Sequence, residues 1–153
     1  MAPSNSRGGG GRAGDTLMPI PYVSCMLLVA SLYGLPPRVL PSIQAVEGGA
    51  VGTVHPDRDG SEDLGLMQVN TRWLLPLARY TRQDAATVRA RLTLEPCYNI
   101  AAAGAILRTY LAEAHGDLMT AIGWYHSHTP TLGALYGREV KGAAALMFGQ
   151  MRP

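Results

Sequence analysis

A glutamate beside apolar helix positions is the first residue in this chain that could do acid–base chemistry. In the run Leu40, Ile43, Val46, Glu47, the carboxylate falls next to the apolar face at helical spacing. An apolar setting disfavours the charged form, so the pKa rises toward the value a general acid needs. A glutamate is otherwise an ordinary solvated surface residue, and Glu47 alone does not choose between the two. The segment Asp59-Gly60-Ser61-Glu62-Asp63-Leu64-Gly65-Leu66-Met67-Gln68-Val69-Asn70-Thr71-Arg72-Trp73 adds to it. A carboxylate, a glutamine, an asparagine and a tryptophan close together are groups that hydrogen-bond and stack on sugars. His126 and His128 alternate as metal ligands can, but two histidines without a third ligand do not make a site, and no metal is expected. Cys25 and Cys97 lack the spacing of a metal site; they form one disulfide in an oxidising compartment or remain two buried thiols.

The elements that must position these groups are mainly helical. Tyr22–Tyr33 reads as a first helix. After Pro36-Pro37, a short helix from about Arg38 runs to Gly48-Gly49, a natural helix stop. Residues 49–62 are turn-forming throughout, with reversals at Pro56-Asp57 and Asp59-Gly60. Leu64–Tyr80, Asp84–Leu92, Cys97–Ala114, Leu118–Tyr125 and Leu132–Met147 carry helical patterns. Pro41 is tolerable only within the first turn of its helix, where its missing N–H costs little. Ser127 and Thr129 are expected to shape a turn before Pro130, and Met67 and Trp124 to pack in the core. The fold class expected is a compact, mainly α domain, with a small irregular β-turn region at residues 50–64.

Length and composition narrow the classes. The chain has 153 residues, enough for one domain with a real core. With 47% apolar and 16% charged residues it is globular and not disordered. A net charge of +2 with scattered Lys and Arg is too weak a footprint for a nucleic-acid binder, though it suits an anionic polymer. Residues 1–21 read as a flexible Gly-, Ser- and Arg-rich tail, with a remnant of an export signal as one reading, and residues 149–153 as a short tail. Leu17–Leu35 is apolar but interrupted by Pro19, Pro21 and Gly34, so no transmembrane span is expected. The domain proper is residues 22–148, and it is expected to be monomeric and to need no cofactor.

The run D-G-S-E-D-L-G-L-M-Q-V-N-T-R-W resembles the active-site segment of C-type lysozymes. It is closer to the G-S-x-D-x-G-L-M-Q-[IV]-N signature of bacterial lytic transglycosylases, in particular the small specialised ones of type IV secretion, conjugation and type III secretion systems. That signature follows a catalytic glutamate written E-[SG]-G, here Glu47-Gly48-Gly49. Glu95-Pro96-Cys97-Tyr98-Asn99-Ile100 with Ala103-Gly104-Ala105-Ile106-Leu107 resembles the family's p-C-x-N-I-x-x-G-A-x-I-L helix. Ala121-Ile122-Gly123-Trp124-Tyr125-His126-Ser127 resembles its A-x-x-x-Y-[NH]-S block. Tyr33-Gly34-Leu35-Pro36 followed by Ser42–Glu47 is similar to the entry into the glutamate helix, so the likeness runs from about residue 22 to 140. The family pattern has Asn where this chain carries His55 and Asp57-Arg58.

The resemblance implies a lysozyme-like fold acting on peptidoglycan glycan strands in the periplasm, alongside a secretion or conjugation machine. It implies that Glu47 is the acid and then the base, that Gln68 and Asn70 line the sugar cleft, and that Tyr125 hydrogen-bonds near Glu47. Ser61 would support substrate or turn geometry, and Gly65 would let backbone come close to the cleft. It also implies that Cys25 and Cys97 are joined, which in the chain-entropy view stabilises by about 4 kcal/mol. Asp63, sixteen residues after Glu47, stands where lysozyme has its second carboxylate, and so leaves hydrolysis open beside transglycosylation. As a turn carboxylate it would serve geometry alone. A silent peptidoglycan-binding subunit of a secretion apparatus is the remaining alternative, which the retained Glu47 argues against.

Overall fold

The computed structural model describes residues 19–149, and the expected tails beyond these lie outside the described residues. Helix α1 (Val23–Tyr33) ends at Gly34. After the two prolines the chain enters α2 (Val39–Glu47), with Pro41 as its third residue, inside the first turn and fully buried. Gly48 follows at φ 62°, a left-handed stop whose N–H caps the Gln44 carbonyl. Glu47 is therefore the last residue of its helix, at a corner where the chain turns away.

Three short strands come next: β1 (Val54–Pro56), β2 (Glu62–Leu64) and β3 (Val69–Asn70), antiparallel in that order. The register sets His55 opposite Asp63, and Asp63 opposite Asn70. A 3-10 turn (Thr71–Trp73) leads into α3 (Leu74–Thr81) and then α4 (Ala85–Leu94), whose N-cap Asp84 accepts from the Thr87 N–H. The long α5 (Pro96–Glu113) runs through the centre, and α6 (Leu118–His126) and α7 (Pro130–Phe148) complete the fold. The fold is mainly helical with a small β region, as the periodicity predicts.

The core lies where α5 meets its neighbours: Ile100, Ala103 and Leu107 pack with Met26 and Ala30 of α1 and Leu40 and Ile43 of α2. Helix α7 lies against both α6 and α2, so it closes over the end of the glutamate helix. Cys25 and Cys97 are disulfide-bonded, Cα atoms 5.5 Å apart, tying α1 to the first turn of α5. Among the described residues no helix is long and apolar enough to cross a membrane.

One expectation is corrected. Leu64–Tyr80 is not a single helix; the chain reverses from β2 into β3 and passes through a 3-10 turn before an α-helix starts at Leu74. Gly65 sits at φ +68° and Gln68 at φ +52°, both left-handed conformations that interrupt a right-handed helix. Leu64, Leu66, Met67 and Val69 are all buried, so their run reflects a strand and a loop enclosed on all sides, not a helical stripe. The β region accordingly extends to Asn70, beyond residue 64.

Candidate active site

Glu47 meets its partners across the helix pair α2 and α7. The hydroxyl of Tyr136, itself 4% exposed, donates to Glu47 Oε1 at 2.5 Å. Burial pushes the Glu47 carboxyl from its ordinary 4.5 up to about 7; the Tyr136 bond opposes this, and the charges of Asp63 and Glu139 add to it. Tyr136 is pushed up as well, first by burial and then by the glutamate's charge. Because the tyrosine's proton points at Oε1, the neutral acid carries its own proton on Oε2. The backbone beyond Glu47 is wedged against the β3 loop: a Cβ on Gly49 would overlap the carbonyls of Gly65 and Leu66. The Glu-Gly-Gly corner thus needs a glycine for close approach, which brings Glu47 to the segment that carries the other polar groups.

That segment is held by two asparagines. Asn99 on α5 is fully buried and makes three bonds: Oδ1 accepts from the Met67 N–H at 2.7 Å, and Nδ2 donates to the Leu64 and Leu92 carbonyls at 2.8 Å each. It pins the Leu64–Met67 loop from below. Asn70 ties the turn between β1 and β2 to the start of the 3-10 turn. Its Nδ2 lies 2.9 Å from Asp63 Oδ1, 2.9 Å from Ser61 Oγ and 3.1 Å from Asp57 Oδ2, and its Oδ1 accepts from the Arg72 N–H and Nε–H. Ser61 Oγ donates to Asp59 Oδ1 at 2.6 Å. Gln68 is buried too, donating to the Gly65 carbonyl at 2.8 Å and paired through Oε1 with His55 Nδ1 at 2.9 Å. These bonds hold its left-handed backbone in place.

Glu47, Asp57, Asp63, Gln68, Tyr125 and His126 are among the residues around a cleft of about 200 Å³, which Trp73, Ile106 and Tyr110 continue as an apolar wall. Trp73 meets Tyr110 edge to face at 5.6 Å. Asp63 is raised above its usual range, by burial ahead of the opposing Asn70 bond. Asp59, in contrast, is held below its usual range, first by the Ser61 hydroxyl and amide donors. The cleft therefore joins a carboxyl poised to exchange a proton near neutrality, a second carboxylate, amide groups and an aromatic wall. That set can protonate a leaving oxygen and hold a polyhydroxy ring.

Of the residues singled out from sequence, Glu47, Asp63, Gln68, Asn70 and Tyr125 share this cleft. The expectation for Gly65 changes, and those for Tyr125 and Ser61 take a definite form. Tyr125 hydrogen-bonds near Glu47, within reach of its charge, by donating its hydroxyl to the Met67 carbonyl at 2.9 Å, while the tyrosine on the glutamate itself is Tyr136. Gly65 faces inward: a Cβ there would overlap the Leu92 carbonyl and crowd Asn99, so its smallness serves packing and not the cleft. Ser61 is outside the lining and acts within the loop through Asp59 and Asn70. His126 and His128 lie flat on Tyr136 and Trp124 respectively.

Sequence reasoning missed Tyr136 and gave Asn99 no role. Asn99 had a signal, a lone amide heading the apolar run Ile100–Leu107, whose burial demands partners. Tyr136 had none, because an aromatic on the inward face of a helix is ordinary core. Compared with protein-family models and with curated proteins, the chain matches none.

Proposed function

We propose that this chain is a lytic transglycosylase that cuts the β-1,4 bond between MurNAc and GlcNAc in peptidoglycan. The observation that carries the reading is Glu47: a carboxyl pushed up to about 7 in a cleft lined by amides, a second carboxylate and an aromatic wall. In the first step Oε2 of Glu47 gives its proton to the glycosidic oxygen as the C1–O bond breaks. In the second, the C6 hydroxyl of the muramic acid attacks C1, and the Glu47 carboxylate takes the hydroxyl proton. The C1–O6 bond closes a 1,6-anhydro ring and Glu47 returns to its starting form. The attacking hydroxyl belongs to the same sugar, so it acts at high effective concentration and needs no activated water. A silent binding subunit would have no use for a carboxyl held near neutrality. The disulfide supports an oxidising compartment such as the periplasm, where the activity would open the wall for a secretion or conjugation machine.

Hydrolysis is the second reading, favoured by one observation: Asp63 lines the same cleft as Glu47 and could stabilise or capture the oxocarbenium-like sugar. Mass analysis of muropeptides released from purified sacculi separates the two. Anhydro ends support the transglycosylase, reducing ends mean water is the acceptor, and no release by the wild-type protein overturns both.

A further inference from the structure

Helices α6 and α7 are joined by only Ser127–Thr129, and they cross at backbone contact. A Cβ on Gly123 would stand 2.8 Å from the Gly133 carbonyl oxygen, and one on Gly133 would stand 2.9 Å from the Ser127 carbonyl oxygen. The Thr129 N–H donates to Ser127 Oγ at 3.1 Å, which holds the short link in shape. This close crossing lays the last residue of α6 over the second turn of α7. The rings of His126 and Tyr136 are nearly parallel, 8° apart, with centroids at 5.0 Å, an offset stack. Tyr136 is buried and His126 exposed, so the imidazole covers the tyrosine ring on the solvent side of the cleft.

We propose that His126 is a positioning residue, whose ring lies flat on Tyr136 and keeps the tyrosine hydroxyl on Glu47 Oε1, leaving Oε2 as the atom that exchanges the proton. His126 makes no hydrogen bond among the described residues to Glu47 or Asp63; its charge bears weakly on Asp63, and its ring contact is with the tyrosine. Three charged or titratable groups besides the pair itself bear on Glu47 or Tyr136: Asp63 on β2, Tyr125 on α6 and Glu139 on α7. None of them stacks on the Tyr136 ring. A phenol free to tilt by even a few tenths of an ångström would loosen a 2.5 Å bond, and constellations of this kind work only within about 0.5 Å of the productive geometry. The Tyr136 bond favours the ionised glutamate, so loosening it raises the Glu47 pKa further.

The inference rests on Glu47 being the acid–base group, and the experiment separates the two. Glycan cleavage is measured against pH for wild type, Glu47→Gln, His126→Ala, His126→Phe, Tyr136→Phe and the double variant His126→Ala/Tyr136→Phe, with thermal denaturation of each. His126→Ala is expected to lower kcat about five- to tenfold with KM within about twofold, and to move the pH profile upward. His126→Phe, which keeps a flat ring, is expected to recover most of the rate. In the Tyr136→Phe background, His126→Ala should cost nothing more. An unrescued His126→Phe, or an equal loss in both backgrounds, would mean that the imidazole acts on substrate directly and would overturn the positioning role. So would a fully active His126→Ala beside a dead Glu47→Gln. A fully active Glu47→Gln overturns the functional reading itself. If Tyr136→Phe fails to fold, the Ala and Phe variants of the exposed His126 still decide the matter by rescue and by pH profile.

Discussion

Glu47 and Asp59 are carboxylates on the two sides of one cleft, and their environments push them in opposite directions. On the helix side, Glu47 ends an apolar helix beneath α7; a single tyrosine donor does not offset its loss of water, and it rises to about 7. On the loop side, Asp59 stays in solvent, collects the hydroxyl and amide of Ser61 with Arg72 at 3.9 Å, and falls below its usual range. Asp63 stands between them, raised by burial despite the Asn70 bond. Burial without enough donors makes an acid, and donors without burial make a permanent anion. The position of a carboxylate relative to α7, more than its place in a motif, selects which one can exchange a proton.

The contrast predicts a ranking of effects. Glu47→Gln removes the exchangeable proton, and glycan release from sacculi should fall by about a thousandfold or more, since acid–base groups contribute on the order of 10²–10⁴. Near-normal release would end the assignment. Next is Asn99→Ala, which leaves the Met67 N–H and the Leu64 and Leu92 carbonyls without their partner inside the core. A loss of about 4 kcal/mol in denaturant unfolding is expected, with the Gly65–Asn70 loop losing protection in hydrogen exchange.

The helix side also makes a prediction about stability. The folded Glu47 pKa of about 7 lies above its ordinary 4.5, so folding favours the protonated form. That contribution is fully present below pH 4.5 and disappears as the pH rises through 7. A glutamine does not titrate, so Glu47→Gln should gain on wild type by roughly 3 kcal/mol between pH 4 and pH 8. Parallel stability curves for the two proteins would show that the site is not desolvated. The same pKa makes the wild-type rate decline as the pH rises through about 7, as the acid is lost.

Asp63→Asn tests the middle of the contrast. If the acceptor is the internal hydroxyl, the aspartate only steadies developing positive charge, and a loss of about tenfold, near 1.4 kcal/mol of barrier, is expected. A variant as inactive as Glu47→Gln, with reducing ends in the wild-type products, would establish the two-carboxylate mechanism instead. The smallest effect belongs to Asp59→Asn: within about twofold in rate, because an exposed, permanently charged residue gains little from its partners.

Local chemistry made much of this legible in the chain. Gly48 after an apolar run stops the glutamate helix where the periodicity predicts, Pro41 falls in the first turn as its missing N–H requires, and Asp84 caps α4. Helix α5 starts and ends within one residue of its predicted span. These features depend on neighbours a few positions away, so their energies are written in short segments. The segment from Leu64 to Asn70 reads as helix because local patterns do not show that its apolar residues are enclosed from every side, nor that Asn99, 32 positions from Met67, bonds the Met67 N–H and the Leu64 carbonyl on either side of the left-handed Gly65.

What the sequence by itself determined was a mainly helical domain, the limits of its helices outside the Leu64–Tyr80 segment, and most of the polar residues that gather with Glu47. Only the tertiary structure decided which tyrosine serves the glutamate. Tyr125 and Tyr136 sit on successive helices, and the close Gly123–Gly133 crossing turns Tyr125 to the Met67 carbonyl and Tyr136 to Glu47, 89 positions away. A hydrogen bond over that distance in the chain is settled by how α7 packs on α2 and α6, and helical periodicity carries no record of it.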